Sequence, residues 1–115
     1  MSAPIWIIDD VVVRPGHGPA FLQRYLKEYA PGAASRGMTL VHQMVEPAMW
    51  LDDEPNRILL IWSVPDAGAM WVSKHVARMT TDVTAFWEET APPFIISRKR
   101  SITAEASQLE ALANV

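Results

Sequence analysis

The residues Ile5–Val13 read IWIIDDVVV, and a second stretch, Ile58–Val64, reads ILLIWSV. A strand that is covered on one side only alternates apolar and polar residues, whereas a nearly continuous apolar run indicates that both faces are buried. A chain of 115 residues with a few helices has enough helix to cover only one face of a small sheet. We therefore expect a second copy of the chain to cover the other face, with Leu60 among the partner-facing positions, which predicts a homodimer.

The composition is that of an ordinary globular domain. Half of the residues are hydrophobic, 20% are charged, and the formal net charge is −3. The basic cluster Arg98-Lys99-Arg100 is too small to predict a nucleic-acid partner. We also expect no membrane partner, because no apolar stretch approaches the ~20 residues that span a bilayer. The N-terminus lacks the basic segment of a signal peptide.

Cysteine is absent from the chain. This excludes cysteine-ligated zinc, iron–sulfur clusters and disulfides, and it fits a cytoplasmic protein. The three histidines are dispersed without the spacing of paired metal ligands, and there is no glycine-rich phosphate loop. We therefore predict neither a metal nor a cofactor.

The order of elements predicts the fold class. Strands are expected at Ile5–Arg14, Met38–Val45, Arg57–Val64 and Phe94–Ile102. A helix that starts near Pro19 should end or kink at Pro31, and two more helices should precede the last strand. The resulting order, β-α-β-β-α-α-β, is typical of an α+β ferredoxin-like fold with a four-stranded antiparallel sheet and helices on one face. We assign residues 1–102 to this domain and 103–115 to a tail, which is either a short helix packed on a partner or a loose end.

Three short segments resemble the dimeric α/β-barrel superfamily. VVVRPGHGPAF resembles the opening of NIPSNAP-like proteins, and LLIWSVPDAGAMW resembles a strand–helix junction that they share with antibiotic-biosynthesis monooxygenases. KHVARMTTDVTAFWEE resembles the stress-responsive barrel branch, to which olivetolic acid cyclase belongs. The resemblance covers roughly Ile5–Ile102. It implies that two chains join their sheets into a barrel, and that each subunit holds a small-molecule pocket between its sheet and its own helices.

Two histidines are candidates for acid/base chemistry. His75 falls on the catalytic helical histidine of the cyclase branch, and an imidazole can act as a base near neutral pH. The alternative is a surface or capping histidine. Strand alternation places His42 on one face with Leu40 and Met44, either as a second acid or orienting group or as a structural histidine.

Asp9 and Asp10 interrupt the first apolar strand. Because adjacent strand residues point to opposite faces, one should face the helices and the other the partner. A buried carboxylate needs partners or a raised pKa. Either aspartate therefore serves the pocket, with Asp10 a candidate acid or orienter. The alternative is that the pair marks a strand bulge or binds a cation such as Arg98 from a neighbouring strand.

Aromatic residues are candidates for holding a substrate. Trp62 and Trp71 flank the junction between the third strand and the second helix, and Tyr25 and Tyr29 lie one helical turn apart, facing the sheet. The predicted substrate-binding residues are Trp62, Trp71, Tyr25, Tyr29, Asp9 and Arg98.

We therefore expect a cofactor-independent enzyme that acts by acid/base chemistry on a small hydrophobic substrate of aromatic or polyketide-like character. The reaction would be a cyclisation, dehydration, isomerisation or lyase cleavage, with His75 as the base and Asp10 or His42 assisting. A non-catalytic binding or structural dimer is the first alternative. A haem-binding or cofactor-free monooxygenase is the second.

Overall fold

The computed structural model describes residues 4–79 and 81–109. The strands are β1 (Ile5–Val13), β2 (Thr39–Glu46), β3 (Asn56–Val64) and β4 (Ile95–Thr103), each within one residue of its predicted bounds. The helices are α1 (Gly18–Arg24), α2 (Ala30–Ser35), α3 (Ala67–Met79) and α4 (Thr81–Ala85), with π-helical turns at Tyr25–Tyr29 and Phe86–Thr90. The sheet order is β2-β3-β1-β4, and every neighbouring pair is antiparallel. The ferredoxin-like α+β fold is therefore confirmed.

The two faces of the sheet are covered differently. Along β1 and β3, fully buried residues alternate with residues that are partly or fully exposed. The buried set packs with aromatic residues of the helices in one core, which contains Ile5, Ile7, Val11, Val13, Ile58, Leu60, Trp62 and Val64. The opposite side, which we call the open face, has half-buried apolar residues at its centre, namely Trp6, Ile8, Val12, Leu59 and Ile61.

We expected Leu60 to face a partner, and this prediction is wrong. It is fully buried beneath the helices of its own chain. Strand alternation instead places its neighbours Leu59 and Ile61 on the open face.

The helix that follows β1 continues past Pro31. α1, the first π-helical turn and α2 follow one another without a break. Within the wide turn, the backbone N–H of Ala30 donates to the carbonyl oxygen of Tyr25. Pro31 then lies in the first turn of α2, where its missing N–H costs little. Tyr25 and Tyr29 both remain on the buried side of this helix.

A bulge in β2 changes the face assigned to His42. Leu40 pairs with Trp62 on the covered face, whereas His42 pairs with Ile61 on the open face, and the register shifts between them. The extra residue of a bulge interrupts the simple alternation of side chains. His42 therefore shares its face with Met44 but not with Leu40.

The described part of the tail contains a short 3₁₀ helix at Ala106–Gln108. The rest of the predicted tail, from residue 110 onward, lies outside the described residues. Within residues 4–79 and 81–109, no helix is long and apolar enough to cross a membrane.

Candidate functional site

A buried carboxylate lies at the centre of the covered face. Asp9 has no exposed surface. Its Oδ1 accepts a hydrogen bond from Arg100 Nε at 2.7 Å, and its Oδ2 accepts one from Arg100 Nη2 at 2.8 Å. The two side chains face each other across the strands, because Asp9 is the direct β1–β4 partner of Arg100. This bidentate arrangement is the strongest form of carboxylate–guanidinium pairing.

A tyrosine and a tryptophan complete the support of Asp9. The hydroxyl of Tyr25 donates to Asp9 Oδ2 at 2.8 Å and accepts from the Trp62 indole N–H at 2.6 Å. Burial raises the pKa of the Tyr25 phenol, and the negative charge of Asp9 raises it further. Tyr25 therefore stays protonated and acts as a hydrogen-bond donor that holds Asp9 in place.

Arg100 connects this buried group to a second tyrosine. Burial alone would lower the pKa of the Arg100 guanidinium, but the hydrogen bonds and charge of Asp9 outweigh it and raise that pKa. Arg100 Nη2 also donates to the hydroxyl oxygen of Tyr29 at 2.6 Å. The guanidinium is thus permanently charged and fixed in orientation by Asp9 and Tyr29.

A cavity of about 80 Å³ lies beside Arg100 and Tyr29, between the sheet and α3. Its lining is mainly apolar, with contributions from β1, β4, α3, the first π-helical turn and the segment between α2 and β2. The lining residues are Ile7, Tyr29, Arg36, Met38, Met70, Ser73, Lys74, Ala77, Arg100 and Ile102. A site for one water needs roughly 10–15 Å³ by this kind of measure, so the cavity has room for several waters or for part of a small molecule.

The described lining of this cavity carries cationic side chains. They are Arg36, Lys74 and Arg100, and no acidic side chain occurs among the described lining residues. Asp9 neutralises Arg100 from behind, but it is not among the lining residues. A cavity with cationic groups and low-dielectric walls focuses a positive potential on its contents.

We expected a cation such as Arg98 to pair with the buried aspartate, but the cation that pairs with Asp9 is Arg100. Arg98 lies opposite Val11 in the β1–β4 register, two residues from the Asp9 position. Its guanidinium carbon instead lies 3.7 Å from the centre of the Trp87 ring, an attractive cation–π contact. Burial lowers the pKa of Arg98.

Both π-helical turns supply aromatic residues next to the buried pair. Tyr25 and Tyr29 come from the first turn, and Phe86 and Trp87 come from the second. Their rings pack against one another, with the Tyr25 and Tyr29 centroids 5.0 Å apart and the Phe86 and Trp87 centroids 4.9 Å apart. π-helical turns are rare and occur frequently at functional sites.

The predicted site residues separate into two groups. The structure brings Asp9, Tyr25, Tyr29 and Trp62 together through hydrogen bonds and ring contacts. Asp10 lies on the open face, where Arg57 donates two hydrogen bonds to its carboxylate.

The histidines lie away from the cavity. His42 borders a shallow groove on the open face with Trp6 and Ile8. His75 is exposed on α3, whose cavity-facing residues are Met70, Ser73, Lys74 and Ala77. Trp71 also lies on the outer side of α3, where it is 61% exposed. The roles assigned to His75, His42 and Trp71 stay predictions.

The sequence did not single out Arg100, Lys74 or Arg36. Arg100 was visible only as a member of the basic cluster at the end of the last strand. The usable signal was the buried aspartate in β1, which requires a cation at the matching position of a neighbouring strand. Among the described residues, no group of three or more histidine, aspartate or glutamate side chains is arranged to hold a metal ion.

Solved structures with the same architecture come from several bacteria. An uncharacterized NIPSNAP-like domain protein from Burkholderia xenovorans is 12% identical with a TM-score of 0.70, and the match covers 93% of this chain and 89% of that chain. A NIPSNAP family protein of unknown function from Agrobacterium tumefaciens is 15% identical with a TM-score of 0.68, covering 90% and 89%. This chain has the fold of NIPSNAP-like proteins.

The same fold occurs in a protein from Nitrosomonas europaea that has been proposed to be an antibiotic biosynthesis monooxygenase. It is 15% identical with a TM-score of 0.63, and the match covers 92% of this chain and 93% of that chain. No protein-family profile matches the chain, and no curated protein sequence matches it. The resemblance to the NIPSNAP-like and monooxygenase branches is therefore confirmed for the fold.

Proposed function

We propose that the cavity beside Arg100 is the active site of a small-molecule enzyme that stabilises negative charge on a carbonyl substrate. The observation that carries this proposal is the buried Asp9–Arg100 pair, which aims a fixed cation at an open cavity. Burying two charges costs more than packing apolar residues of similar volume. Such a costly arrangement beside a cavity is typical of functional sites.

The chemistry of the lining suits the reactions predicted from the sequence. Cyclisation by aldol chemistry, dehydration, isomerisation and retro-aldol cleavage of a carbonyl compound each develop negative charge on the carbonyl oxygen. Arg100, Tyr29 and Lys74 supply donors for that oxygen, and one such donor contributes about 10²–10³-fold in rate. Asp9 acts as a positioning residue for Arg100.

A non-catalytic binding protein is the second candidate. Its support is that the lining residues within the described part of the chain include no histidine, aspartate or glutamate to act as a general base. The predicted base His75 lies on the exposed side of α3. Catalysis that uses His75 would require a substrate that reaches around the helix.

A test of the cavity compares two tryptophan substitutions on α3. Ala77→Trp fills the cavity, whereas Val76→Trp adds the same side chain on the exposed side of the helix. The parent chain and both variants would be screened by NMR against small ketones and keto acids. Deuterium uptake next to the carbonyl in D₂O would be measured in the same samples.

For the enzyme, we expect both binding and deuterium uptake in the parent and in Val76→Trp, and neither in a folded Ala77→Trp. Binding without uptake would favour the binding protein. Compounds that fail to shift the NMR signals of cavity-lining residues would contradict both candidates. His75→Ala in the same assay tests the predicted base, whose loss should lower the rate by about 10²–10⁴-fold.

The same proposal includes a homodimer joined through the open faces of two sheets. The support is the cluster of half-buried apolar residues on β1 and β3, together with Met44 on β2, which pairs with Leu59 and is 52% exposed. A contiguous apolar surface of this kind typically marks an interaction site. A second copy of the chain supplies a matching apolar surface by two-fold symmetry.

A further inference from the structure

We infer that the natural ligand of the cavity carries a carboxylate group, which Arg100, Tyr29 and Lys74 bind while the rest of the ligand contacts the apolar walls. This inference rests on the proposed function, because it names the substrate class of the same site. The sequence by itself predicts only a hydrophobic substrate of aromatic or polyketide-like character, with no charged group specified.

The hydrogen-bond capacity of Arg100 leaves one nitrogen for a ligand. A guanidinium has five N–H donors. Nε donates to Asp9, and the two hydrogens of Nη2 are taken by Asp9 and Tyr29. Among the described residues, no hydrogen bond uses Nη1, and the Arg100 side chain keeps 29% of its surface exposed. The Nη1 donors are therefore available to a group that enters the cavity.

Tyr29 offers a second donor at the same place. Its oxygen accepts a hydrogen bond from Arg100, and Tyr29 is one of the cavity-lining residues. A hydroxyl that accepts one hydrogen bond still has its own proton to donate. In the part of the chain that the structure describes, the Tyr29 O–H has no acceptor, so a ligand oxygen is its natural partner.

Lys74 adds a second cation, which comes from α3 on the other side of the cavity. It lies on α3, with its ammonium 5.5 Å from the centre of the exposed Trp71 ring, and it lines the cavity. Arg100 Nη1 has two N–H donors, the Tyr29 hydroxyl has one and Lys74 has three. A carboxylate has two oxygens with about four lone-pair positions, so these donors can bind it and a neighbouring carbonyl oxygen as well. Asp9 already balances the charge of Arg100, so the charge that favours an anionic ligand over a neutral one is that of Lys74.

The apolar residues of the cavity lining indicate the character of the rest of the ligand. Beyond the polar residues, the lining is formed by Ile7, Met38, Met70, Ala77 and Ile102. The volume of about 80 Å³ holds a carboxylate and the first few carbons. Ile102 is 49% exposed, so it leaves an apolar mouth over which a larger body can extend. Such a lining favours an apolar carboxylic acid over inorganic phosphate, which has no apolar part to bury.

The test uses benzoate, benzamide and inorganic phosphate as probes. Benzamide has nearly the shape of benzoate but no charge. Dissociation constants would be measured by NMR titration on the parent chain, Lys74→Gln and Lys27→Gln. Lys27 is exposed and lies outside the cavity, so its substitution removes the same charge from elsewhere on the molecule.

We expect benzoate to bind the parent at least about 10-fold more tightly than benzamide. Lys74→Gln should weaken benzoate binding by about 3-fold or more and leave benzamide unchanged, whereas Lys27→Gln should change neither. Phosphate should bind more weakly than benzoate. The inference is overturned if benzamide or phosphate binds as tightly as benzoate, or if both lysine variants behave alike.

The outcomes separate this inference from the proposed function. Equal binding of benzoate and benzamide in the cavity would leave a small-molecule site and remove only its preference for an anion. Absence of any signal change at Ile102, Met70 and Tyr29 with either aromatic probe would remove both the cavity site and the inference.

Discussion

Asp9 and Asp10 are adjacent in β1, and each carboxylate is bound by an arginine from a neighbouring strand, yet their surroundings are opposite. Asp9 is fully buried on the covered face and is held by Arg100 of β4. Asp10 lies on the open face, where Arg57 of β3 binds it with distances of 2.8 and 2.6 Å. The two pairs have similar hydrogen-bond geometry, so they differ mainly in how far solvent reaches them.

The two pairs differ in how strongly they hold the side chains around them. An exposed ion pair gains little, because water and salt screen its charges. A buried pair loses its hydration and depends on every remaining hydrogen bond. Asp9 therefore fixes the orientation of Arg100, Tyr25 and, through Tyr25, the indole of Trp62, whereas Asp10 is hydrogen-bonded by the partly exposed Arg57 of the open face.

The largest expected effect is that of Asp9→Asn. The amide keeps the shape of the side chain but leaves the Arg100 guanidinium without its counter-charge, and breaking a buried pair in this way costs about 3–5 kcal/mol. Urea unfolding of Asp9→Asn and Asp10→Asn would be compared under identical conditions. Equal losses for the two variants would contradict the difference between the faces.

A double variant keeps this test informative if Asp9→Asn fails to fold. Asp9→Asn combined with Arg100→Gln removes both charges, so no uncompensated charge stays buried. We expect the double variant to be more stable than Asp9→Asn alone.

The next largest effect is expected for Met44→Asp, which tests whether a second sheet covers the open face. Met44 is 52% exposed and Met49, in the loop after β2, is 64% exposed, so an aspartate at either position costs a single chain little. If two open faces join, only Met44→Asp buries a charge. We expect the parent and Met49→Asp to sediment at about twice 12.8 kDa, and Met44→Asp to raise the dimer dissociation constant by at least about 30-fold. A monomeric parent chain would contradict the dimer.

A smaller effect is expected from removing the hydroxyl that supports Asp9. Tyr25→Phe leaves the Trp62 indole N–H and one lone pair of Asp9 without their partner, which costs about 1–3 kcal/mol. Tyr29→Phe is the matched control, because within the described part of the chain its hydroxyl bonds a single partner, the partly exposed Arg100. Thermal or urea unfolding should rank Tyr25→Phe as the less stable of the two variants. The reverse order would mean that Tyr29 carries the support.

The fold could be predicted from the sequence, but only part of the site could be. The apolar runs of β1 and β3 and the turn residues between elements determine strand bounds locally, which explains their agreement within one residue. Alternation also predicts correctly that Asp9 and Asp10 point to opposite faces. The choice of Arg100 rather than Arg98 depends on the register of β4 against β1, which shifts at Val12/Val13.

The orientation of α3 could not be predicted for a related reason. Its inner side carries Met70 and Ala77, and its outer side carries Trp71, Val72 and Val76. Because both sides are apolar, the helical pattern does not tell which one faces the sheet. The positions of Lys74 in the cavity and of His75 outside it follow only from the packed structure.

The smallest effect is expected for Asp10→Asn in the Met44→Asp background, where the open face is uncovered. The hydrogen bonds from Arg57 lower the pKa of Asp10, outweighing the opposite effect of partial burial. A lowered pKa in the folded state contributes stability above the unfolded value of about 3.9, and this contribution is lost as the pH falls through the folded value. At pH 7 we expect Asp10→Asn to lower the free energy of unfolding by at most about a quarter of the loss caused by Asp9→Asn. This loss should shrink further below about pH 4 and at high salt.

In the parent chain the same substitution should cost more, because a partner sheet would take the pair out of water. Equal losses in the two backgrounds, measured by urea unfolding at pH 7 and pH 3, would mean that Asp10 faces solvent in the assembled protein as well.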